Sequence, residues 1–186
     1  LFKDIEISIK QHENMPYSIE VHFDDITNAA IQEMWNVLSQ NNIPCRALEK
    51  DFSPHITLVY GEISGLKKVN WDFLEKQKTF KFEFNAFAAF PDRGVLFLSP
   101  EKSNLLSELH NLHDANAEFS SMNKFYRTDL WEPHCSLASR LSPKQLEKSV
   151  KLFEDFKFPL EATCVSSNFV KYPKAEVLSS FPYLPE

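Results

Sequence analysis

The chain has 186 residues and a formal net charge of −6, with 43% hydrophobic and 25% charged residues. This composition is typical of one folded domain and argues against a disordered chain. The acidic charge argues against a protein that binds bulk duplex nucleic acid through many phosphate contacts. A locally positive cleft on an acidic protein can still bind a nucleotide or the end of an RNA strand.

The N-terminal region alternates a strand pattern with a helix pattern. Apolar residues at every second position predict a strand over residues 16–25, and we assign residues 1–14 to an extension or an extra strand. Apolar residues at helical spacing predict a helix over residues 28–42, which begins at a cap formed by Thr27 or Asn28. The chain is therefore expected to open with a strand followed by a helix.

The middle of the chain is rich in strand patterns. Residues 55–60 predict a strand that ends at Gly61, and residues 70–78 predict a short helix. Two apolar runs, residues 79–90 and 95–100, predict two strands joined by the turn sequence PDRG. We expect these two strands to form a hairpin.

The last third of the chain returns to the order of the first. A helix is predicted over residues 103–119, with Leu105, Leu109 and Leu112 on its apolar face. The remaining elements are a strand that follows His134, a helix over residues 142–156 with Ser142 as its N-cap, and a terminal hairpin of residues 160–172 and 175–183. A strand–helix–strand unit thus occurs twice. We predict one α+β domain over residues 1–186 with an internal duplication.

Two short stretches, SPHITLVYG and EPHCSLASR, share one pattern: Pro, then His, a hydroxyl residue two positions after the His, and Leu three positions after it. Residues i and i+2 of a strand face the same way. His55 therefore shares a face with Thr57, and His134 with Ser136, while the residues between them face the core. Each stretch is expected to present an imidazole and a hydroxyl side by side.

This arrangement suits the cleavage of a phosphodiester without a metal. The reaction needs a base that activates water or a hydroxyl and an acid that protonates the leaving oxygen. Two imidazoles with an unperturbed pKa near 6.5 can hold opposite protonation states near neutral pH. Hydroxyl groups can bind the phosphoryl oxygens. Two such patterns on separate predicted strands are far more specific than one.

The two patterns PHITL and PHCSL resemble the HxT/S motifs of the 2H phosphoesterase superfamily, which includes 2′-5′ RNA ligase-like proteins and cyclic nucleotide phosphodiesterases. The resemblance extends over most of the chain from about Pro16. It implies a bilobal α+β fold in which two antiparallel sheets, flanked by helices, surround a central cleft. It also implies that His55 and His134 are the acid/base pair, that Thr57 and Ser136 bind phosphate, and that no metal or other cofactor is needed.

Four further residues near the motifs are candidates for substrate contacts or chemistry. Arg93 lies in the PDRG turn, and Tyr126 and Trp131 precede the second motif, where aromatic rings can stack on a base. Core packing is the alternative for Trp131, and covering a loop is the alternative for Tyr126. Cys135 is not expected to be a nucleophile, because on a strand it faces away from His134.

The other histidines offer weaker alternatives. His22 lies opposite the apolar face of its strand, and we expect it to be exposed rather than to face the cleft. His110 and His113 are three residues apart on a predicted helix, a spacing that can hold a metal ion. Asp114 and Glu108 beside them are interpreted as a solvated face, so the pair lacks a complete ligand set.

Three functions remain open from the sequence. The first is a metal-independent phosphodiesterase acting on 2′,3′-cyclic phosphates, 2′-5′ linkages or RNA ends. The second is a binding module of the same fold that holds a nucleotide or an RNA end without turnover. The third is a metal-dependent hydrolase that uses His110 and His113. The sequence does not determine which of the two motif histidines is the acid.

Composition also predicts the surroundings of the protein. Cys45, Cys135 and Cys164 are widely spaced and odd in number, a pattern typical of free thiols in a reducing compartment. We therefore predict a cytoplasmic protein. No apolar run approaches the about 18 residues that span a bilayer, so no membrane contact is expected. We predict a monomer whose partner is its nucleotide or RNA-end substrate.

Overall fold

The computed structural model describes residues 15–50, 52–62, 72–101, 104–116 and 121–186. The strands are β1 (Pro16–Phe23), β2 (His55–Glu62), β3 (Phe80–Phe90), β4 (Val95–Pro100), β5 (Ser121–Met122), β6 (Cys135–Ala138), β7 (Leu160–Lys171) and β8 (Glu176–Pro182). The α-helices are α1 (Asp25–Gln40), α2 (Arg46–Glu49), α3 (Asn104–Asn116) and α4 (Pro143–Lys151). The fold is α+β, as predicted, and the expected extension or extra strand over residues 1–14 lies outside the described residues.

The described strands form one eight-stranded sheet and not the two separate sheets that the resemblance implies. Its order is β5-β2-β1-β7-β3-β4-β6, with β8 paired to β7 and each strand antiparallel to its neighbours. The length of strand β7 explains why the strands form one sheet. Its first part, Leu160 to Cys164, pairs with β3, and its second part, Cys164 to Lys171, pairs with β1, the neighbour of β2, and also with β8. One continuous strand therefore joins the half that contains β2 to the half that contains β6.

Helix α1 begins earlier than predicted. Its N-cap is Asp24, whose side chain accepts a hydrogen bond from the backbone N–H of Thr27 at 2.8 Å, rather than Thr27 or Asn28. Asp24 is the preferred N-cap because its carboxylate places a negative charge at the positive end of the helix and also accepts the hydrogen bond. The predicted apolar face is confirmed, since Ile31, Met34, Trp35 and Leu38 are buried in the core.

Helix α3 buries a different face from the one predicted. Leu105 and Leu112 are 51% and 43% exposed, whereas Leu106 and Leu109 are buried. The predicted stripe of leucines was wrong because two histidines, His110 and His113, fill the rest of the buried face and each is 1% exposed. Hydrophobicity alone could not identify this face, since imidazole rings packed among polar partners replace aliphatic side chains.

The connections around β3 and β4 largely follow the sequence. The predicted hairpin is confirmed, and its turn is a 3₁₀ helix, Pro91–Arg93, followed by Gly94 at a φ of 57°. A side chain at Gly94 would meet the carbonyl oxygen of Leu141 at 2.1 Å, so the close approach of the chain requires glycine. Only Asp72–Leu74 of the predicted short helix is a 3₁₀ turn, and residues 70–71 lie outside the described residues.

The elements near the C-terminus occur as predicted, except that α4 ends at Lys151, before the predicted end at residue 156. Helix α4 begins after Ser142, which forms a capping box with Gln145, and β7 and β8 form the expected hairpin. Among the described residues, no helix combines the length and the apolar character that crossing a membrane requires.

The two halves are linked by their helices as well as by β7. Helix α1 follows β1 but packs against β6, and α3 follows β4 but packs against β2. Each helix therefore contacts the histidine strand of the other half. This exchange brings β2 and β6 into contact, although the two strands are not hydrogen-bonded neighbours in the sheet.

Candidate active site

The two motif strands have the alternation that the sequence predicts. Ile56 and Leu58 of β2 are fully buried, and Cys135 and Leu137 of β6 are 1% exposed. The motif residues that alternate with them are half-buried or exposed: His55, Thr57, His134 and Ser136. The buried residues anchor each strand, so the opposite face holds its imidazole and hydroxyl toward open space.

Three hydrogen bonds link the motifs to the opposite halves of the chain. The indole Nε1 of Trp131 donates a hydrogen bond to the carbonyl oxygen of Thr57 at 3.0 Å, and the indole Nε1 of Trp35 donates one to the carbonyl oxygen of Ser136 at 3.4 Å. The thiol of Cys135 hydrogen-bonds to the backbone of His55. The structure thus brings the two predicted motifs together at one place, and the contacts are made by backbone and buried side chains.

Both motif histidines are held in the same way. The ring Nδ1 of His55 lies 2.8 Å from the carbonyl oxygen of Ser53, and Nδ1 of His134 lies 2.7 Å from the carbonyl oxygen of Glu132. A carbonyl oxygen only accepts hydrogen bonds, so Nδ1 carries a proton in both rings. The other nitrogen, Nε2, is therefore the atom that can accept or donate a proton in chemistry.

A buried carboxylate lies beside Nε2 of His55. Glu20, on β1, is 2% exposed, and its Oε1 lies 3.7 Å from Nε2 of His55. Its Oε2 lies 3.1 Å from Nε2 of His22. The strand pairing explains this cluster, because Glu20 is opposite Thr57 and His22 is opposite His55 in the register of β1 and β2.

The carboxylate of Glu20 is ionised over the whole pH range in which a histidine titrates. Burial opposes the charge, but the opposing charge of His55, the hydrogen bond and charge of His22, and the hydrogen bond of Ser18 outweigh it and lower the pKa of Glu20 to about 2. The hydroxyl of Tyr172 also donates to Oε1 of Glu20 at 2.7 Å. A fixed negative charge therefore sits at the His55 side of the site.

The surroundings of His134 are apolar by comparison. Its ring packs against Phe90 and Phe97, with 5.3 Å between ring centroids in both cases. Burial lowers the pKa of His134 from its ordinary value, the charges of His55 and Arg93 lower it further, and the hydrogen bond to the backbone of Glu132 opposes the shift. The neutral imidazole is the favoured form at this position.

A tyrosine cluster covers the same face of β2. An irregularity in the pairing at Leu58 turns Tyr60 to the face that carries Thr57. Its ring centroid lies 5.7 Å from that of Tyr126 and 6.1 Å from that of Tyr172. Burial, with a contribution from Tyr60, raises the pKa of Tyr126 to about 12, so its hydroxyl is protonated at neutral pH. Tyr126 therefore lies beside Tyr60 on this face, and stacking of its ring on a base stays a prediction.

An open cavity of about 380 Å³ adjoins the motif residues. His55, Tyr60 and Ser136 line it, and Arg46 and Arg140 bring two positive charges to it. This local positive charge contrasts with the net negative charge of the chain. The lining is suited to an anionic ligand that extends from His55 and Ser136, whereas His134 and Thr57 do not line this cavity.

The remaining predicted contacts divide into two groups. The guanidinium of Arg93 lies 4.0 Å from the centroid of the Phe125 ring, and its charge acts on both Tyr126 and His134, so Arg93 borders the site. Trp131 stacks on the ring of His110, with 4.0 Å between centroids. With its indole N–H used by Thr57, Trp131 has the packing role that was the alternative to base stacking.

The metal hypothesis finds no support in the geometry of α3. Nε2 of His110 lies 3.0 Å from the carbonyl oxygen of Tyr126, and Nε2 of His113 lies 3.2 Å from Oγ of Ser167. Asp114 accepts hydrogen bonds from Arg127 and Thr128. Within the part of the chain that the structure describes, no three His, Cys, Asp or Glu side chains are arranged to hold a metal ion.

The three cysteines are buried, and none of them forms a disulfide. Burial raises the pKa of Cys135 to about 12, so this side chain is a thiol and not a thiolate at neutral pH. Its position away from the open face of β6 agrees with the prediction that it is not a nucleophile.

Sequence reasoning missed the polar face of β1. Ser18, Glu20 and His22 alternate with the buried residues of this strand, and only His22 was considered, with exposure preferred. That preference was wrong, since the side chain of His22 is 13% exposed and its ring stacks on His55 at 5.7 Å. The available signal was the carboxylate itself, at an alternating position of a predicted strand.

Comparisons with known proteins agree with this geometry. A family model described as the 2′-5′ RNA ligase superfamily matches residues 23–176, which include both histidine motifs. No curated protein matches the chain in sequence.

Solved structures of low sequence identity share the fold. LigT from E. coli in complex with 3′-AMP is 13% identical with a TM-score of 0.54, and the match covers 92% of this chain and 99% of that one. Usb1 from Kluyveromyces marxianus is 9% identical with a TM-score of 0.51, and the match covers 91% and 98%. A structure described as a phosphoesterase is 14% identical with a TM-score of 0.52, and the match covers 92% and 99%.

Proposed function

The chain belongs to the 2′-5′ RNA ligase superfamily, a 2H phosphoesterase family, and on that premise we propose that it is a metal-independent phosphodiesterase. The observation that carries the proposal is the matched pair of imidazoles. His55 and His134 are each held through Nδ1 by the carbonyl two residues earlier, on strands that touch. Two such rings with free Nε2 atoms are what acid/base cleavage of a phosphodiester needs.

The proposed substrates are 2′,3′-cyclic phosphates, 2′-5′-linked nucleotides and RNA ends. Thr57 and Ser136 would bind the phosphoryl oxygens through their hydroxyls. Arg46 and Arg140, at the cavity next to His55, would attract the rest of the anionic substrate. LigT has been crystallised with 3′-AMP, with phosphate and with ATP, and these ligands are consistent with a nucleotide or phosphate site in this fold.

The two substrate classes differ in the nucleophile. With a 2′,3′-cyclic phosphate, one histidine takes a proton from water as the water attacks phosphorus, and the other gives a proton to the departing ribose oxygen. With a 2′-5′ linkage or an RNA 3′ end, a ribose hydroxyl attacks in place of water and leaves a cyclic phosphate. The same two imidazoles serve both reactions with their roles assigned by the orientation of the substrate.

The duplication of a two-lobed domain is part of the proposal. Each histidine strand pairs antiparallel with the strand that precedes a helix, β1 with β2 and β4 with β6, and this repeated order supports a duplicated origin for residues 1–186. Cytoplasmic location and a monomeric state stay predictions from the sequence.

The second candidate is a module that binds a nucleotide or RNA end without turnover. The cavity with its two arginines suits binding by itself, whereas two imidazoles with free Nε2 atoms have no role in a pure binder. Turnover by the wild-type protein separates the two candidates directly.

The test is a substrate panel with product identification. The wild-type protein, in EDTA, is incubated with 2′,3′-cyclic nucleotides, 2′-5′ oligonucleotides and RNA 3′ ends. We expect hydrolysis of at least one class, and we expect His55→Ala and His134→Ala each to lower it by about 10³-fold or more with little change in melting temperature. Wild-type rates in either variant on every substrate, or loss of all activity in EDTA, would contradict the proposal.

A further inference from the structure

On the premise of the proposed function, we propose that Glu20 is a positioning residue that holds His55 as the protonated partner, so that His55 is the general acid and His134 the general base in hydrolysis of a 2′,3′-cyclic phosphate. The two histidines have the same motif and the same backbone anchor. The difference between them is the charge and polarity of what lies beside Nε2.

The carboxylate of Glu20 is fixed in place by several hydrogen bonds. The hydroxyl of Ser18 donates to Oε1 at 2.5 Å, and the hydroxyl of Tyr172 donates to the same oxygen at 2.7 Å. Oε2 is 3.1 Å from Nε2 of His22. The carboxylate is 2% exposed and both of its oxygens have hydrogen-bond partners, so it is held in place beside His55.

This fixed charge forms an ion pair with His55 once the imidazole is protonated. The distance from Oε1 to Nε2 is 3.7 Å, and water is largely excluded from the carboxylate, so the attraction is weakly screened. Stacking of His22 on His55 limits rotation of the ring. Other titratable or charged groups act on His55 or line the cavity it opens on: His22, His134, Cys135, Tyr60, Tyr172, Arg46 and Arg140.

The carboxylate keeps its charge while the imidazoles titrate, because the pKa of Glu20 is lowered to about 2. The tyrosines nearby are neutral, since burial raises the pKa of Tyr60, Tyr126 and Tyr172. Among the described residues, Glu20 is the carboxylate within ion-pair distance of Nε2 of His55. At His134, the rings of Phe90 and Phe97 and the lowered pKa favour the neutral base.

The proposed step conserves atoms and protons. Nε2 of His134 accepts a proton from water as the water oxygen forms a bond to phosphorus. The bond from phosphorus to one ribose oxygen breaks, and Nε2–H of His55 gives its proton to that oxygen, which becomes a hydroxyl. The product is a phosphate monoester. His134 then loses a proton to solvent and His55 regains one, which restores the starting forms.

The test removes the charge of Glu20 and keeps its shape. In Glu20→Gln, the protonated form of His55 loses its ion pair, and the alkaline limb of the kcat/KM profile should move to lower pH by about one unit or more. At pH 8 this corresponds to a loss of about 10-fold in kcat/KM. The acidic limb, which reports the base, should not move. Glu147→Gln, which removes an exposed carboxylate on α4, should leave both limbs unchanged.

The direction of the change separates the outcomes. Movement of the acidic limb to lower pH in Glu20→Gln would mean that His55 is the base and would overturn the assignment. Profiles that coincide with the wild type would overturn the positioning role. If Glu20→Gln does not fold, Glu20→Asp replaces it. This variant keeps the carboxylate but places it farther from His55, so the alkaline limb should move to lower pH by a smaller amount.

A second readout does not depend on turnover. NMR titration of the imidazole signals without substrate should place the midpoint of the His55 ring at lower pH in Glu20→Gln than in the wild type, with no such movement in Glu147→Gln. A midpoint that does not move would show that Glu20 does not stabilise the protonated His55 ring, and this would overturn the proposal even if the enzyme is active. A midpoint that moves in a protein without turnover would overturn the proposed function and the acid role, and support the ion pair alone.

Discussion

The two halves of the site carry the same motif in different surroundings. In the first half, His55 lies among charged and polar side chains, with Glu20 at 3.7 Å and His22 stacked on its ring. In the second half, His134 packs between Phe90 and Phe97. The backbone anchor is the same in both, so the strand fixes the position of each Nε2 and the neighbours set the charge and polarity around it.

The comparison also holds for the helices behind the strands. Helix α1 supports β6 with a largely apolar face, whereas α3 supports β2 with two buried histidines. A polar interior on one side and an apolar interior on the other predict different responses to pH and to mutation. Three experiments can sharpen or break this comparison.

The largest effect is expected from the hydroxyl groups, the feature that the two halves share. Thr57→Val and Ser136→Ala each remove one proposed phosphate ligand, and we expect kcat to fall by about 10²-fold in both because a donor to the transition-state charge is lost. Steady-state kinetics on a cyclic phosphate measure it. Ser107→Ala, at an exposed position of α3, is the control. An unchanged kcat in either site variant would show that its half does not contact phosphate.

A smaller effect concerns stability in acid and the half that contains α3. Burial, assisted by the charge of His110, lowers the pKa of His113 from 6.5 to about 3. Between these values the unfolded chain binds a proton that the folded protein does not, so the free energy of unfolding should fall by up to about 1.4 kcal/mol per pH unit as the pH drops from 6.5 toward 3.

Urea denaturation at several pH values measures this loss. In His113→Leu the slope between pH 6.5 and pH 4.5 should decrease, because the titrating group is gone. The wild type and the variant should still share a further loss below pH 4.5, where the lowered pKa of Glu20 makes the unfolded chain bind another proton. Equal slopes in the wild type and the variant above pH 4.5 would show that a group other than His113 causes the loss of stability in acid.

The smallest effect is expected from the apolar wall of His134. Phe90→Leu lets water reach the imidazole, which weakens the burial that lowers its pKa. If His134 is the base, the acidic limb of the kcat/KM profile should move to higher pH by roughly half a unit. Phe156→Leu shortens a half-buried phenylalanine in the separate cluster with Phe87 and Phe158 and should leave the limb in place. An unchanged limb in Phe90→Leu would show that the contact with Phe90 does not control the protonation of His134.

The local features of the chain were largely predictable. The motif strands, the hairpin of β3 and β4, the capped helix α4 and the terminal hairpin follow from alternation, turn residues and capping residues that lie close together in sequence. The resemblance carried by PHITL and PHCSL identified the family, which the match over residues 23–176 confirms. Local patterns sufficed because each depends on neighbours within a few positions.

Other expectations failed where distant elements decide the outcome. Leu105 and Leu112 of α3 were expected in the core, but His110 and His113 take the buried face because Tyr126 and Ser167 supply hydrogen-bond partners from other parts of the chain. Two sheets were expected, but β7 is long enough to pair with strands of both halves. Neither partner set can be read from the local sequence.

The sequence by itself determined that His55 shares a face with Thr57 and that His134 shares one with Ser136, because side-chain direction alternates along any strand. Only the tertiary structure decided that Glu20 and His22 lie against the first imidazole and two phenylalanines against the second. Strand register, set by pairing between residues far apart in the chain, determines which charges surround a titratable group. The charges and rings that surround the two histidines are therefore a property of the assembled sheet.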